Sequence, residues 1–391
     1  MKKGFYSAAF VLTILVSGYA FWSNHDRASG TEGIYPRYVI GDLEEFGKNN
    51  GKGNVIALSP YLHTYDFSSQ EAFYNMLQYY FSFARRRKLL DDSTVVVLPE
   101  YIGTWLVVAN EKRSVYADTS LEEGMKTLVF SNIVKFGSAY CKATAKDKAK
   151  EAVFRMKADK MADIYQKIFS RLAKEFHVTI VAGSIVLPNP SAENGKLKID
   201  QSGKLYNVTA VFDVNGNILS PLTKKHFPIE EEKSFTCKAE KEQQPVYKTR
   251  SGNLAVLICA DAWYPQNYQT LSDKTIDILA VPSYVSGNNA WSKKWKGYNG
   301  ASTPTDVNKT DIGKISEYEA WIKYAMVARA RKANIKTGVN TFLRGDLWNL
   351  GSDGHTLITT SKYMKPLNTP FVYEGKDKEA GMGSLINVWL E

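Results

Sequence analysis

Cysteine is scarce in this chain: Cys141, Cys237 and Cys259 are the three among 391 residues. Three cannot staple a disulfide scaffold, and an odd count leaves at least one thiol over. The sequence leaves open whether Cys141 and Cys237 pair; if they do, Cys259 is the free one. The five histidines are scattered and form no spaced ligand set, so no metal site is expected. There is no phosphate loop of the P-loop type, no internal repeat and no internal linker. A nucleic-acid-binding signature is also lacking. The net charge of +10 and pI near 9.1 therefore read as a solvated lysine-rich surface, with attraction to an anionic membrane or acidic partner as the functional alternative. The densest basic run, Arg85-Arg86-Arg87-Lys88, closes a predicted helix, where positive charge suits the helix dipole. No cofactor and no nucleic-acid partner follow from this composition.

Long apolar runs are as rare as cysteines. One occurs, from Gly4 to Trp22, uncharged and preceded by Met1-Lys2-Lys3. Lysines before such a run and none just inside it orient the remainder of the chain outside the cytosol, in the periplasm or secreted. Two fates are open for residues 1–23. Gly18 and Ala20 stand at −3 and −1 of a signal-peptidase cut. The run, residues 4–22, is also close to the ~20 residues a membrane-anchoring helix needs. No cysteine follows it, which excludes a lipoprotein anchor.

Beyond the run, apolar content of 44% and aromatic content of 13% are ample for a packed core. Residues 24–50 are polar and read as a linker and entry segment. From residue 51 strand and helix signals alternate, the pattern of an α/β domain over 51–391. Asn54–Ser59, Thr94–Leu98, Val178–Leu187, Leu205–Phe212, Leu254–Ile258, Ile276–Val281, Thr337–Thr341 and Thr356–Thr359 read as strands. Several are apolar throughout, as strands buried on both faces are. Asn215-Gly216 marks a hairpin. Ser68-x-x-Glu71 is a capping box opening a helix with Phe73, Leu77, Tyr80, Phe81 and Ala84 on one face. Residues 107–160, rich in Lys and Ala, read as an insertion with helical parts. A helix carries Met161, Ile164, Ile168 and Leu172, and another spans Glu317 to Lys332.

Three segments share a design in which a reactive side chain stands beside a strand. In Val95-Val96-Val97-Leu98-Pro99-Glu100 a carboxylate sits at the carboxyl end, where α/β proteins gather their sites. In Leu254–Asp261 the thiol of Cys259 ends another apolar strand. A nucleophilic thiol needs a base to take its proton and a backbone N–H to hold an oxyanion. Leu222–Glu232 carries Lys224, Lys225, His226 and three glutamates, where a lysine near developing negative charge suits acyl transfer.

In their chain order these segments resemble the nitrilase superfamily of carbon-nitrogen hydrolases. Val181-Ala182-Gly183-Ser184, Val211-Phe212-Asp213 with Gly216, Cys259-x-Asp261 with Pro265, Val281-Pro282-Ser283, Ala328-Arg329-Ala330 and Gly351-Ser352 extend the likeness over roughly residues 53–390. The resemblance implies an α-β-β-α sandwich, a homo-oligomer and a Glu-Lys-Cys catalytic triad. It assigns Glu100 as general base, Cys259 as the nucleophile that forms a thioester, and Lys224, two residues before His226, as oxyanion stabiliser with the Ala260 N–H. A second glutamate is implied at Glu232, with Glu230 or Glu231 as alternatives. Tyr101, Trp105, Trp263 and Ser283 are the substrate-binding expectations. True nitrilases usually carry Trp where Ala260 stands, so a linear amide is favoured over a nitrile. The interval from Glu100 to Lys224 is longer than the family usually shows, and residues 107–160 account for it. An N-acyltransferase with the same triad, or a non-catalytic binding protein on this fold, are the alternatives.

Overall fold

Runs of valine, isoleucine and leucine stiffen the backbone toward extended conformations and bury well on both faces. They form two six-stranded sheets here. The computed structural model describes residues 2–30, 38–240, 244–360, 364–366 and 381–391. The first sheet runs, in spatial order, Val39–Phe46, Met382–Trp389, Asn54–Ser59, Thr94–Val97, Thr179–Val181, Val211–Phe212. The second runs Val246–Thr249, Gly252–Val256, Ile278–Ser283, Thr337–Phe342, Leu357–Thr360, Met364–Pro366. Each has a parallel heart: strands 54–59, 94–97 and 179–181 in one, 252–256, 278–283 and 337–342 in the other.

Alternation along these strands decides the layering. Val55, Val95, Val97 and Val181 pack against Leu254, Val256, Ile278 and Ala280, so the two sheets meet face to face. Their neighbours Ile56, Leu58, Val96 and Leu98 point the other way, onto helices. Ala255, Leu257, Leu279 and Val281 do the same on the far side. The helices are α1 (Lys2–Asn24), α2 (Gln70–Arg86), α3 (Arg113–Ala117), α4 (Leu121–Ser131), α5 (Ile133–Lys142), α6 (Lys148–Phe176), α7 (Glu230–Lys233), α8 (Pro265–Ser272), α9 (Glu317–Tyr324) and α10 (Met326–Lys332). Helices α2 and α6 cover the first sheet, and α8, α9 and α10 the second. The order of layers is α-β-β-α.

Several expectations change in detail. The segment 24–50 is not a plain linker. Val39–Phe46 is an edge strand running parallel to Met382–Trp389. The residues before it dock too: the Ala28 N–H donates to the Glu111 carbonyl at 2.8 Å and Arg27 pairs with Glu111 at 2.8 Å. Residues 31–37, also assigned to the linker, lie outside the described residues. Met382–Trp389 was not foreseen as a strand; it earns its place by pairing on both sides, which no local pattern reveals. The insertion is helical, α3 to α5, and its end is the first half of α6, which starts at Lys148 under a cap from the Asp147 side chain. The late helix breaks at Ala325, in extended conformation, into α9 and α10. Cys141 and Cys237 are both free thiols. Among the described residues no helix is long and apolar enough to cross a membrane.

Candidate active site

The parallel hearts of both sheets deliver their carboxyl ends to one place. After strand 94–97 the chain turns through Leu98-Pro99-Glu100 to Tyr101, which takes a left-handed conformation (φ 64°). Gly183 makes that turn possible. It stands at φ +60°, and a Cβ there would lie 2.1 Å from the Pro99 carbonyl oxygen. Ser184 next to it pins the turn, its Oγ accepting from the Tyr101 N–H at 2.9 Å. After strand 252–256 the chain enters a short 3-10 helix, Cys259–Trp263, with Cys259 itself at φ +48°. A non-glycine residue in that region is held there by its surroundings.

Glu100 is fully buried, and so is the lysine that meets it. That lysine is Lys225. Its Nζ lies 2.8 Å from Glu100 Oε1 and 2.7 Å from Glu232 Oε2. Lys224, the residue expected from the Lys-x-His spacing, lies outside this cluster: its Nζ reaches Asn189 at 3.3 Å and sits over the Tyr206 ring. Register explains the exchange. Strand Thr223–Lys224 pairs with Leu205–Thr209 so that Lys224 stands opposite Val208, on the face that also carries Tyr206. The Lys225 N–H donates to the Asn207 carbonyl at 2.9 Å, one residue on and on the opposite face. Slipping one residue along a strand moves a side chain to the other side.

The second carboxylate is Glu232, buried at the first turn of α7, while Glu230 and Glu231 are exposed. Glu232 accepts from Lys225, from Asn207 Nδ2 at 3.0 Å, from the Ile229 N–H at 2.9 Å and from the Tyr101 hydroxyl. Asn207 Nδ2 also reaches Glu100 Oε1 at 2.9 Å. Two buried carboxylates thus share one ammonium and one amide.

The charges sort accordingly. Burial pushes Glu100 up, the Lys225 ammonium opposes this and Glu232 reinforces it, leaving its carboxyl at about 7. Burial also works against ionised Glu232, but Lys225 and its other donors outweigh it and hold that carboxyl below the usual range. Lys225, although buried, is kept firmly protonated by the two carboxylates. The Cys259 thiol is pushed well up, by burial first and the Glu100 charge second, so it rests as neutral S–H. It lies close enough to Glu100 for the two to shift one another, and approaches the Tyr284 carbonyl at 3.7 Å.

Asp261 ties the lysine segment to the cysteine turn. Buried, it accepts the N–H groups of His226 and Phe227 at 2.9 and 2.7 Å. The His226 ring meets Asn267, its Nδ1 2.7 Å from Asn267 Oδ1. Ala260 follows Cys259 in the first turn of the 3-10 helix, where N–H groups lack partners within the helix.

Of the residues expected to bind substrate, Tyr101 is at the site, its ring against Tyr284 and its hydroxyl on Glu232. The other three side chains are engaged within the body of the fold. Trp105 lies against Trp348. Trp263 stacks on Trp295 within an aromatic cluster under the second sheet. Ser283 is buried and accepts from Asn340 Nδ2 at 2.7 Å. Sequence reasoning passed over Asn207 and Tyr284. An asparagine inside the otherwise well-buried strand Leu205–Thr209 was a usable signal, because a buried amide demands partners. Tyr284, directly after strand Ile278–Ser283, carried none of its own.

Residues 62–299, more than half of the chain, match the carbon-nitrogen hydrolase family. A deaminated glutathione amidase of Synechocystis sp. is 31% identical over 145 residues, 34% of this chain and 50% of that protein. A probable nitrilase of Schizosaccharomyces pombe is 29% identical over 129 residues, 33% of this chain and 42% of that protein. The matched part spans about half the length of these curated relatives. Among solved structures, an amidase from Nesterenkonia sp. superposes with a TM-score of 0.47 at 12% identity, covering 80% of this chain and 84% of that one. With the match to its model running from residue 62 to residue 299, the chain belongs to the carbon-nitrogen hydrolase family.

Proposed function

We propose that this chain is an amidase that hydrolyses a linear, non-peptide C–N bond through a thioester on Cys259. The observation that carries the reading is the convergence of Cys259, Glu100 and Lys225, from separate segments, in one buried cluster. As the sulfur attacks the amide carbon, its proton passes to Glu100 and the carbonyl oxygen becomes an oxyanion. The Lys225 ammonium and the Ala260 N–H stabilise that charge. Glu100 then delivers the proton to the leaving nitrogen, the C–N bond breaks and the thioester remains. Water attacks the thioester, giving a proton to Glu100. The C–S bond breaks, and the proton returns to the thiolate. Glu232 and Asn207 hold Lys225 and Glu100 in place throughout.

The base must be ionised in the free enzyme, and below its pKa the proton on Glu100 blocks transfer from Cys259. Because that carboxyl sits at about 7, kcat/KM is expected to rise through neutral pH and level off above it. Glu100→Gln is expected to fold like the parent and lose roughly 10²–10⁴-fold in rate. A wild-type kcat/KM already level at pH 5 would remove Glu100 as the base.

We further propose that the body works outside the cytosol, supported by Lys2 and Lys3 ahead of the uncharged run Gly4–Trp22. A C-terminal reporter active only outside the cytosol should report, and one active only inside should stay dark. The opposite pair of results refutes the orientation. The mature N-terminus distinguishes cleavage from retention.

A further inference from the structure

Large apolar side chains left in water mark surfaces meant to be covered. Among the described residues they are strongly localised. Apart from Ile312, every large hydrophobic side chain that is exposed lies either on α1 or on the α4–α5 pair of the insertion. On α4–α5 they are Phe130, Ile133, Val134 and Tyr140, with Val134 77% and Phe130 60% accessible. Ile133, Val134 and Tyr140 fall at helical spacing on one side of α5, whose other side packs on α6.

The two apolar regions are joined rather than merely near. The Tyr19 hydroxyl of α1 donates to the Phe130 carbonyl at 3.0 Å and accepts from the Ile133 N–H at 3.2 Å, satisfying backbone groups where α4 gives way to α5. The end of α1 is fastened to the same insertion. Lys112 Nζ reaches the Trp22 carbonyl at 2.9 Å, and Arg27 pairs with Glu111 and donates to the Ser131 carbonyl. Glu111 is itself buried and paired with Lys157 of α6, so the junction is set into the body. The stretch that carries this face is basic. From Leu121 to Lys150 the chain has six lysines against three carboxylates, and Lys126 takes up two of the three, Glu122 and Glu123.

We propose that the α4–α5 face, continuous with α1, docks into the surface of an anionic lipid bilayer. Exposed apolar side chains in a lysine-rich stretch are the chemistry of an interfacial element: the former sink below the headgroups and the latter are drawn to their phosphates. A second copy of this chain fits less well, because it would bring the same lysine-rich stretch against itself. The inference does not depend on the amidase reading, because its readout is binding and not turnover.

The test is cosedimentation of the full chain with phosphatidylcholine vesicles, with and without phosphatidylglycerol. The parent should bind the anionic vesicles and bind less tightly as salt rises. A variant carrying Phe130→Ser, Ile133→Ser, Val134→Asp and Tyr140→Ser retains α1 intact. It should bind at least about tenfold more weakly, the least expected from withdrawing one apolar side chain from hydrocarbon. All four positions are exposed, and unfolding curves matching the parent establish that the variant folds. An environment-sensitive dye on Cys141, the exposed thiol beside Tyr140, should shift to the blue when anionic vesicles are added. Undiminished binding by the variant would assign attachment to α1 alone and overturn the proposal. Self-association that the substitutions abolish, with no vesicle binding by the parent, would overturn it in favour of a second copy.

Discussion

Cys259→Ala is expected to lower kcat/KM on any amide the parent hydrolyses by at least about 10³-fold, because members of a covalent catalytic unit are not individually dispensable. The loss should appear in kcat. Alanine tolerates the backbone about as well as cysteine does, and the substitution removes one sulfur from a site held by Asp261 and its neighbours. Binding of the amide should therefore survive. The thiol rests protonated, pushed up by burial and by Glu100, and in the proposed mechanism proton transfer at the moment of attack switches on its reactivity. It follows that Cys259 should carry the acyl group in an intact-mass experiment on the parent quenched during turnover. Turnover persisting in Cys259→Ala, or an acyl group on Cys141 or Cys237, would end the mechanism.

Lys225→Ala is expected to be nearly as severe, and on two counts. It strips the lysine that pairs with both Glu100 and Glu232, themselves buried. Removing one partner of a buried ion pair typically costs on the order of 3–5 kcal/mol, because the remaining charge has no compensation. It also removes the ammonium that the proposed mechanism sets against the developing oxyanion, worth about 10²–10³ in rate at comparable sites. Lys224→Ala should shift stability by no more than about 0.5 kcal/mol, as surface substitutions do. Its rate should stay within about twofold of the parent. Chemical denaturation and steady-state kinetics on the two variants, side by side, separate the predictions. An inactive Lys224→Ala beside an active Lys225→Ala would show that the buried lysine is structural only.

This pair of lysines marks the boundary between what local reading reaches and what it does not. Glu100 and Cys259 were legible because each follows an apolar strand directly, and the end of a buried strand in an α/β protein is a predictable place. Lys224 and Lys225 are chemically identical neighbours, and a motif counted along the chain cannot say which faces inward. That depends on pairing with Asn207 and Val208, residues the motif does not contain. Glu232 is separated from Glu230 and Glu231 in the same way, by the direction in which the first turn of α7 enters the cluster.

The cap of α2 is Ser69, whose Oγ accepts from the Ala72 N–H, and not the expected Ser68-x-x-Glu71 box. The period-two and helical patterns of apolar residues and the Asn215-Gly216 turn were nevertheless enough to order most of the α/β elements. Each reports an energy set by residues close in sequence. The apolar run Gly4–Trp22 was equally plain, because nothing comparable follows it. Burial of Trp263 and Ser283 in packing, the Tyr101 hydroxyl on Glu232, the edge strand Val39–Phe46 and its partner Met382–Trp389 depend on contacts between residues far apart in the chain. So does the raised pKa of Glu100, set first by burial and then by Lys225 and Glu232, each more than a hundred residues away. Desolvation and Coulomb energy depend on distance in space, and only the fold supplies that distance.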